Sequence, residues 1–153
     1  MTRLLLFVAC AALLVTGPAV HGQAKSSSVV KVTAEADKPG DDGKQVITIT
    51  LTAEKPWHVY ANPVGNPDLV DAQTTVTISG KGKPEVVKVE YPAGKVVKDK
   101  VVGDYKIYED KVTIKATIKR AKGDTEKVDV AVKLQACNDK TCLMGETVKL
   151  TVP

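Results

Sequence analysis

Three side chains stand out as equipped for chemistry: Cys137 and Cys142, with four residues between them in LQACNDKTCLMGE, and His58 in KPWHVYANP. A cysteine pair at this spacing can act as a structural staple, contribute to a metal site, or trade its disulfide with another protein. As a staple it does little. In the chain-entropy model a closed loop of about five residues gives roughly 2 kcal/mol before strain. Zinc takes four ligands, or three and a water, whereas the candidates here are Cys137, Cys142 and His58. Copper on two thiolates and an imidazole is conceivable, but oxidation of the thiols competes with it. A weak staple at an accessible loop end suits exchange, although the spacing alone leaves all three readings open.

The surroundings of His58 bear on this choice. A lone histidine on a strand commonly packs and hydrogen-bonds. Here it shares a strand parity with Tyr60, so both are expected on one face, where they can shield sulfur and influence thiolate formation. Trp57, the sole tryptophan, is expected in the core. No Ser-His-Asp arrangement, phosphate-binding glycine loop or paired catalytic carboxylates accompany these residues, which argues against a hydrolase. The lysines alternate singly with apolar residues, as in KVTIKATIK. Nucleic-acid binding requires a clustered basic face with stacking aromatics, so a solvated sheet face is expected instead.

The chain has 153 residues and a formal charge of +4. Its opening, MTRLLLFVACAALLVTGPAVHGQA, has a cation at Arg3, an apolar run from Leu4 to Val15 and the helix-breaking Gly17-Pro18. This is the layout of a secretory signal peptide over residues 1–22, cleaved after Gly22 or Ala24, and the run is shorter than the ~20 residues that span a bilayer. Cys10 lies inside it with too few residues before it for a lipoprotein signal. Export leaves an even pair of cysteines in an oxidising compartment, which favours their disulfide. The exported domain, near +3 without Arg3, is expected to be soluble, monomeric, without cofactor or metal, and without a membrane span.

The elements that must position these residues are strands. After a polar leader over 23–28, expected to be flexible, come VVKVTAEA, QVITITLTA, TTVTIS, EVVKVEY, KVTIKATIK, EKVDVAVKL and ETVKLTV, rich in β-branched residues with near-perfect alternation. Ile47, Ile49 and Leu51 share one parity, as do Val112, Ile114, Ala116 and Ile118, and Val128, Val130, Val132 and Leu134. One buried and one wet face is typical of antiparallel sheets. Seven or more strands over residues 29–153 predict an all-β, immunoglobulin-like antiparallel β-sandwich of two sheets. Two connections exceed a hairpin's needs: 61–73 and 92–110. The cysteines are expected to flank the turn of the terminal hairpin.

Taken in order, PWHVYANP, VEYP, GDYKIYEDKVTIKATI and VAVKLQACNDKTCLMGE resemble the N-terminal periplasmic domain family of the thiol:disulfide interchange protein DsbD, over most of the chain from about residue 30. The resemblance implies an immunoglobulin-like sandwich with a redox-active cysteine pair, which takes electrons from a thioredoxin-like domain and passes them to periplasmic thiol proteins. It implies that Cys142 forms the mixed disulfide with partners and that Cys137 resolves it. His58 and Tyr60 match the aromatic positions flanking that pair. Residues 98–105, with Asp99, Val101, Val102 and Tyr105, match the cap loop that shields the disulfide until a partner docks.

The sequence departs from the family pattern in three places. Val101 or Val102 stands where the cap carries an aromatic shield, and CLMG replaces the C-x-P-P flavour after the second cysteine. The sequence also carries neither a membrane channel nor a thioredoxin-like domain, so a separate electron donor, such as a membrane protein, is expected. The resulting expectation is a periplasmic thiol:disulfide oxidoreductase acting as an electron carrier. The alternative is a binding or adaptor domain whose disulfide is purely structural.

Overall fold

The computed structural model describes residues 24–153, and the signal peptide expected over residues 1–22 lies outside them. All paired strands are antiparallel. One sheet runs β1 (Val30–Ala36), β2 (Lys44–Ala53), β8 (Lys111–Lys119) and β5 (Glu85–Glu90) in spatial order. A second runs β11 (Glu146–Val152), β9 (Val128–Leu134) and β4 (Thr75–Gly80).

Alternation explains the core. Ile47, Ile49 and Leu51 of β2, Ile114, Ala116 and Ile118 of β8, and Val128, Val130, Val132 and Leu134 of β9 are all buried in one cluster. The intervening Lys111, Thr113, Lys115 and Lys119 of β8 are exposed. Strand β5 is the exception, with Val86 and Val87 exposed. It sits at a sheet edge and its register shifts between Val86 and Lys88. Such a bulge bends an edge away from further pairing.

The two-sheet expectation is incomplete. A third, smaller sheet runs β10 (Ala136–Cys137), β3 (His58–Tyr60), β7 (Tyr105–Glu109) and β6 (Lys95–Val97). Strands β6 and β7 form a hairpin inside 92–110, where the sequence predicts one long connection. With two to five residues each, these strands are too short for alternation to reveal them. They attach to the main body through Val59, Ala61, Tyr108 and Ala136, which join the core cluster. Trp57, expected in the core, only packs against it.

The leader, expected to be flexible, carries one short element. Ser26–Ser28 form a 3-10 turn, and Ser26 is fully buried. Composition suggested a loose segment, but the Ser26 hydroxyl finds backbone partners inside the fold.

Candidate active site

The cysteines flank a turn as expected, but not simply the turn of the hairpin β9–β11. That hairpin pairs up to Leu134 and Glu146. Between them the chain leaves its sheet, and β10 crosses over to pair with β3. Cys137 and Cys142 face each other as an isolated antiparallel bridge and are joined by a disulfide. Asn138 closes the turn between them. Its Oδ1 accepts the N–H groups of Lys140 at 2.9 Å and Thr141 at 3.0 Å, the local bonding that makes asparagine a turn residue.

The register of the small sheet builds the site. Cys137 lies opposite His58, and His58 lies opposite Glu109. Opposed residues on antiparallel strands project to one face with Cβ atoms about 5 Å apart, so these three form a row. Tyr60 and Ile107 form the next row. The Tyr60 O–H donates to Cys137 Sγ at 3.7 Å. The Tyr60 ring meets those of His58 at 6.3 Å and Tyr105 at 5.8 Å between centroids, both edge-on. The two sulfurs therefore differ: Cys137 is 2% exposed under Tyr60, while Cys142 is open to solvent. Beside this face a groove is lined by Trp57, His58, Tyr105, Ile107, Glu109 and Asp139.

The four expected cap residues separate. Asp99 Oδ1 accepts the N–H groups of Val101 at 2.7 Å and Val102 at 3.0 Å, which holds its carboxyl below the usual range. Asn66, buried in the other long connection, donates to the Val102 carbonyl at 2.7 Å and anchors the loop. Val101 is 93% and Val102 49% exposed. Tyr105 is the member of this set whose ring reaches Tyr60.

Two neighbours of the site escaped the sequence reading. Glu109, ion-paired with Lys95 at 2.7 Å, becomes adjacent to His58 only through strand pairing. Asp139, inside the cysteine loop, also acts on the imidazole. Their carboxylates would raise its pKa, but burial outweighs them and lowers it from the ordinary 6.5, with Lys95 acting in the same direction. At neutral pH the imidazole is thus uncharged.

Below 6.5 the unfolded chain takes up the His58 proton more readily than the folded one, so stability falls as pH drops through this range. Urea midpoints measured from pH 7.5 down to 5 should decline, and His58→Gln should flatten that decline. An unchanged slope in the variant would assign it to other groups.

The family model for "Thiol:disulfide interchange protein DsbD, N-terminal" matches residues 26–153. Among solved structures, the chain is similar to the reduced DsbD N-terminal domain of Neisseria meningitidis. That match has a TM-score of 0.50 at 13% identity and covers 82% of this chain and 84% of that one. It is also similar to the N-terminal periplasmic domain of ScsB from Proteus mirabilis, with a TM-score of 0.52 at 17% identity, covering 79% of this chain and 44% of that one. At these identities the likeness is one of fold. No curated protein sequence matches the chain significantly. With the family model spanning the sandwich, the small sheet and the cysteine loop together, the chain belongs to the DsbD N-terminal domain family.

Proposed function

We propose that this protein is a periplasmic thiol–disulfide exchange module that passes reducing equivalents between protein partners through Cys137 and Cys142. The observation that carries this reading is the asymmetry of the bond, with one sulfur buried under Tyr60 and the other exposed. Membership of the DsbD N-terminal family supports the same reading. The partners are thioredoxin-like or other periplasmic thiol proteins, and among the described residues no helix is long and apolar enough to cross a membrane.

On reduction, a donor thiolate attacks Cys142 Sγ, the Cys137–Cys142 bond breaks, and Cys137 leaves with the electron pair. The donor's second thiolate then displaces Cys142, leaving a dithiol here and a disulfide on the donor. In the onward transfer, the Cys142 thiolate attacks an acceptor disulfide to form a mixed disulfide. Cys137 resolves it by attacking Cys142 Sγ, and the acceptor departs as a dithiol. Two electrons and two protons pass in each of the two transfers, first from donor to this protein and then from this protein to acceptor.

The protein's contribution is to choose which sulfur meets the partner and to manage charge on the other. A buried thiolate is disfavoured. The Tyr60 hydroxyl, already directed at Cys137 Sγ, supplies a hydrogen bond as that charge develops. His58 borders the same sulfur as a neutral imidazole, and Tyr105, at the end of the 98–105 segment, packs its ring edge-on against Tyr60.

The direct test is the reduction potential of the pair, obtained by equilibrating the protein with glutathione or dithiothreitol buffers. Exchange proteins fall at roughly −120 to −270 mV, and a value of about −180 to −270 mV is expected here. A value below about −300 mV, characteristic of structural disulfides, would overturn the proposal in favour of an adaptor domain with a closed staple.

A further inference from the structure

Residues 24–28 are bound to the cysteine loop rather than only to the sandwich. Ser26 is fully buried, and its hydroxyl serves both flanks of that loop. It accepts the Ala136 N–H at 2.9 Å, one residue before Cys137, and donates to the Met144 carbonyl at 2.7 Å, two residues after Cys142. Backbone bonds continue the same seam. The Ser26 N–H donates to the Met144 carbonyl and the Met144 N–H to the Ala24 carbonyl, both at 3.2 Å. Between the flanks themselves, the Leu143 N–H donates to the Ala136 carbonyl at 2.8 Å. Ala24 and Met144 also wall the groove in which Cys142 sits.

We infer that Ser26 is a positioning residue for the redox pair, a non-covalent clasp across the flanks of the Cys137–Cys142 loop whose closure is coupled to the disulfide. The inference rests on the exchange reading, since coupling matters to function only if the bond opens in use. The physical reason is local concentration. A dithiol oxidises more readily the more often its two sulfurs meet in bonding geometry, and a bridge between Ala136 and Met144 removes chain conformations that separate them. Because Ser26 is sealed from solvent, no water replaces either bond when the hydroxyl is lost, and the Ala136 N–H is left without a partner.

Coupling of this kind is reciprocal. Whatever the closed clasp contributes to the disulfide, the disulfide returns to the clasp. Reduction therefore loosens Ala24–Ser28 against Met144, and the wall of the groove around Cys142 differs between the redox states. A partner docking at Cys142 meets a firm wall on the oxidised protein and a looser one on the reduced protein. This gives a means of releasing or preferring one state.

The test compares the unaltered protein with Ser26→Ala by equilibration with glutathione, in which one glutathione disulfide takes two electrons and two protons from the dithiol and yields two glutathione molecules. The variant is expected to form its disulfide about three- to tenfold less favourably, a potential roughly 15–30 mV less negative by the two-electron relation. Ser26→Thr keeps the hydroxyl and should recover the original potential. On the unaltered protein, hydrogen exchange followed by mass spectrometry should show faster exchange of the Ser26 and Met144 amides after reduction. That measurement stands even if the alanine variant folds poorly. Ser26 is merely a fold seal if Ser26→Ala lowers stability equally in both redox states without moving the potential, or if the amides exchange alike in both. The absolute potential of the unaltered protein tests the exchange reading, and the difference between proteins tests the clasp, so either can fail alone.

Discussion

Cys137→Ala is expected to turn the domain into a trap for its partners. Cys142, exposed to solvent, still attacks an acceptor disulfide, but the thiolate that would release the acceptor is gone. Well-oriented intramolecular groups reach effective concentrations of about 10⁵ M or more, far above the millimolar glutathione that would have to substitute. The mixed disulfide should therefore live at least about a thousandfold longer and accumulate on non-reducing gels with a thioredoxin-like probe. Cys142→Ala should behave oppositely. Its remaining thiol is Cys137, 2% exposed beneath Tyr60, where burial blocks a partner's approach. It should capture no partner and react slowly with iodoacetamide. Equal capture by the two variants would remove the division of labour between the sulfurs, and with it the asymmetry on which the proposed function rests.

The largest stability effect is expected away from the site. Ile49 of β2 lies opposite Ile114 of β8 in the middle of the four-stranded sheet, and both are fully buried. Ile49→Ala removes three carbons from a close-packed interior, where such truncations cost roughly 2–5 kcal/mol. Domains of this kind are held by only about 5–15 kcal/mol in all. The urea midpoint of the oxidised protein should fall accordingly, while the reduction potential of the folded protein should hold, because the cysteine loop belongs to a different sheet. Val86→Ala provides the contrast. Val86 is 43% exposed on the edge strand β5, and its loss should stay within about 0.5 kcal/mol. Similar midpoints for the two variants would mean that the core is not where alternation places it.

The contrast between these two positions also shows how far the sequence could be read. QVITITLTA and KVTIKATIK declare their buried faces because successive strand residues point to opposite sides, and Ile49 and Ile114 fall on the expected parity. EVVKVE carries the same composition, yet its valines are largely exposed. Parity says which residues share a face but not whether another sheet covers that face. For HVY, KVV and AC the element is too short to carry a pattern, so the third sheet, and with it the platform of the site, was not visible beforehand.

The site divides in the same way. The cysteine spacing and the shared parity of His58 and Tyr60 are local properties, fixed by backbone geometry over a few residues, and the sequence alone determined them. It also determined the all-β sandwich, because alternation recurs in strand after strand. Four features waited for the tertiary structure: the burial of Cys137 against the exposure of Cys142, Tyr105 rather than Val101 or Val102 against Tyr60, Glu109 beside His58, and Ser26 across the cysteine loop. Each depends on register between segments far apart in the chain, and the packing of the whole domain sets that register. A serine in a polar leader reads as solvent-exposed until two backbone groups more than a hundred residues away close around its hydroxyl.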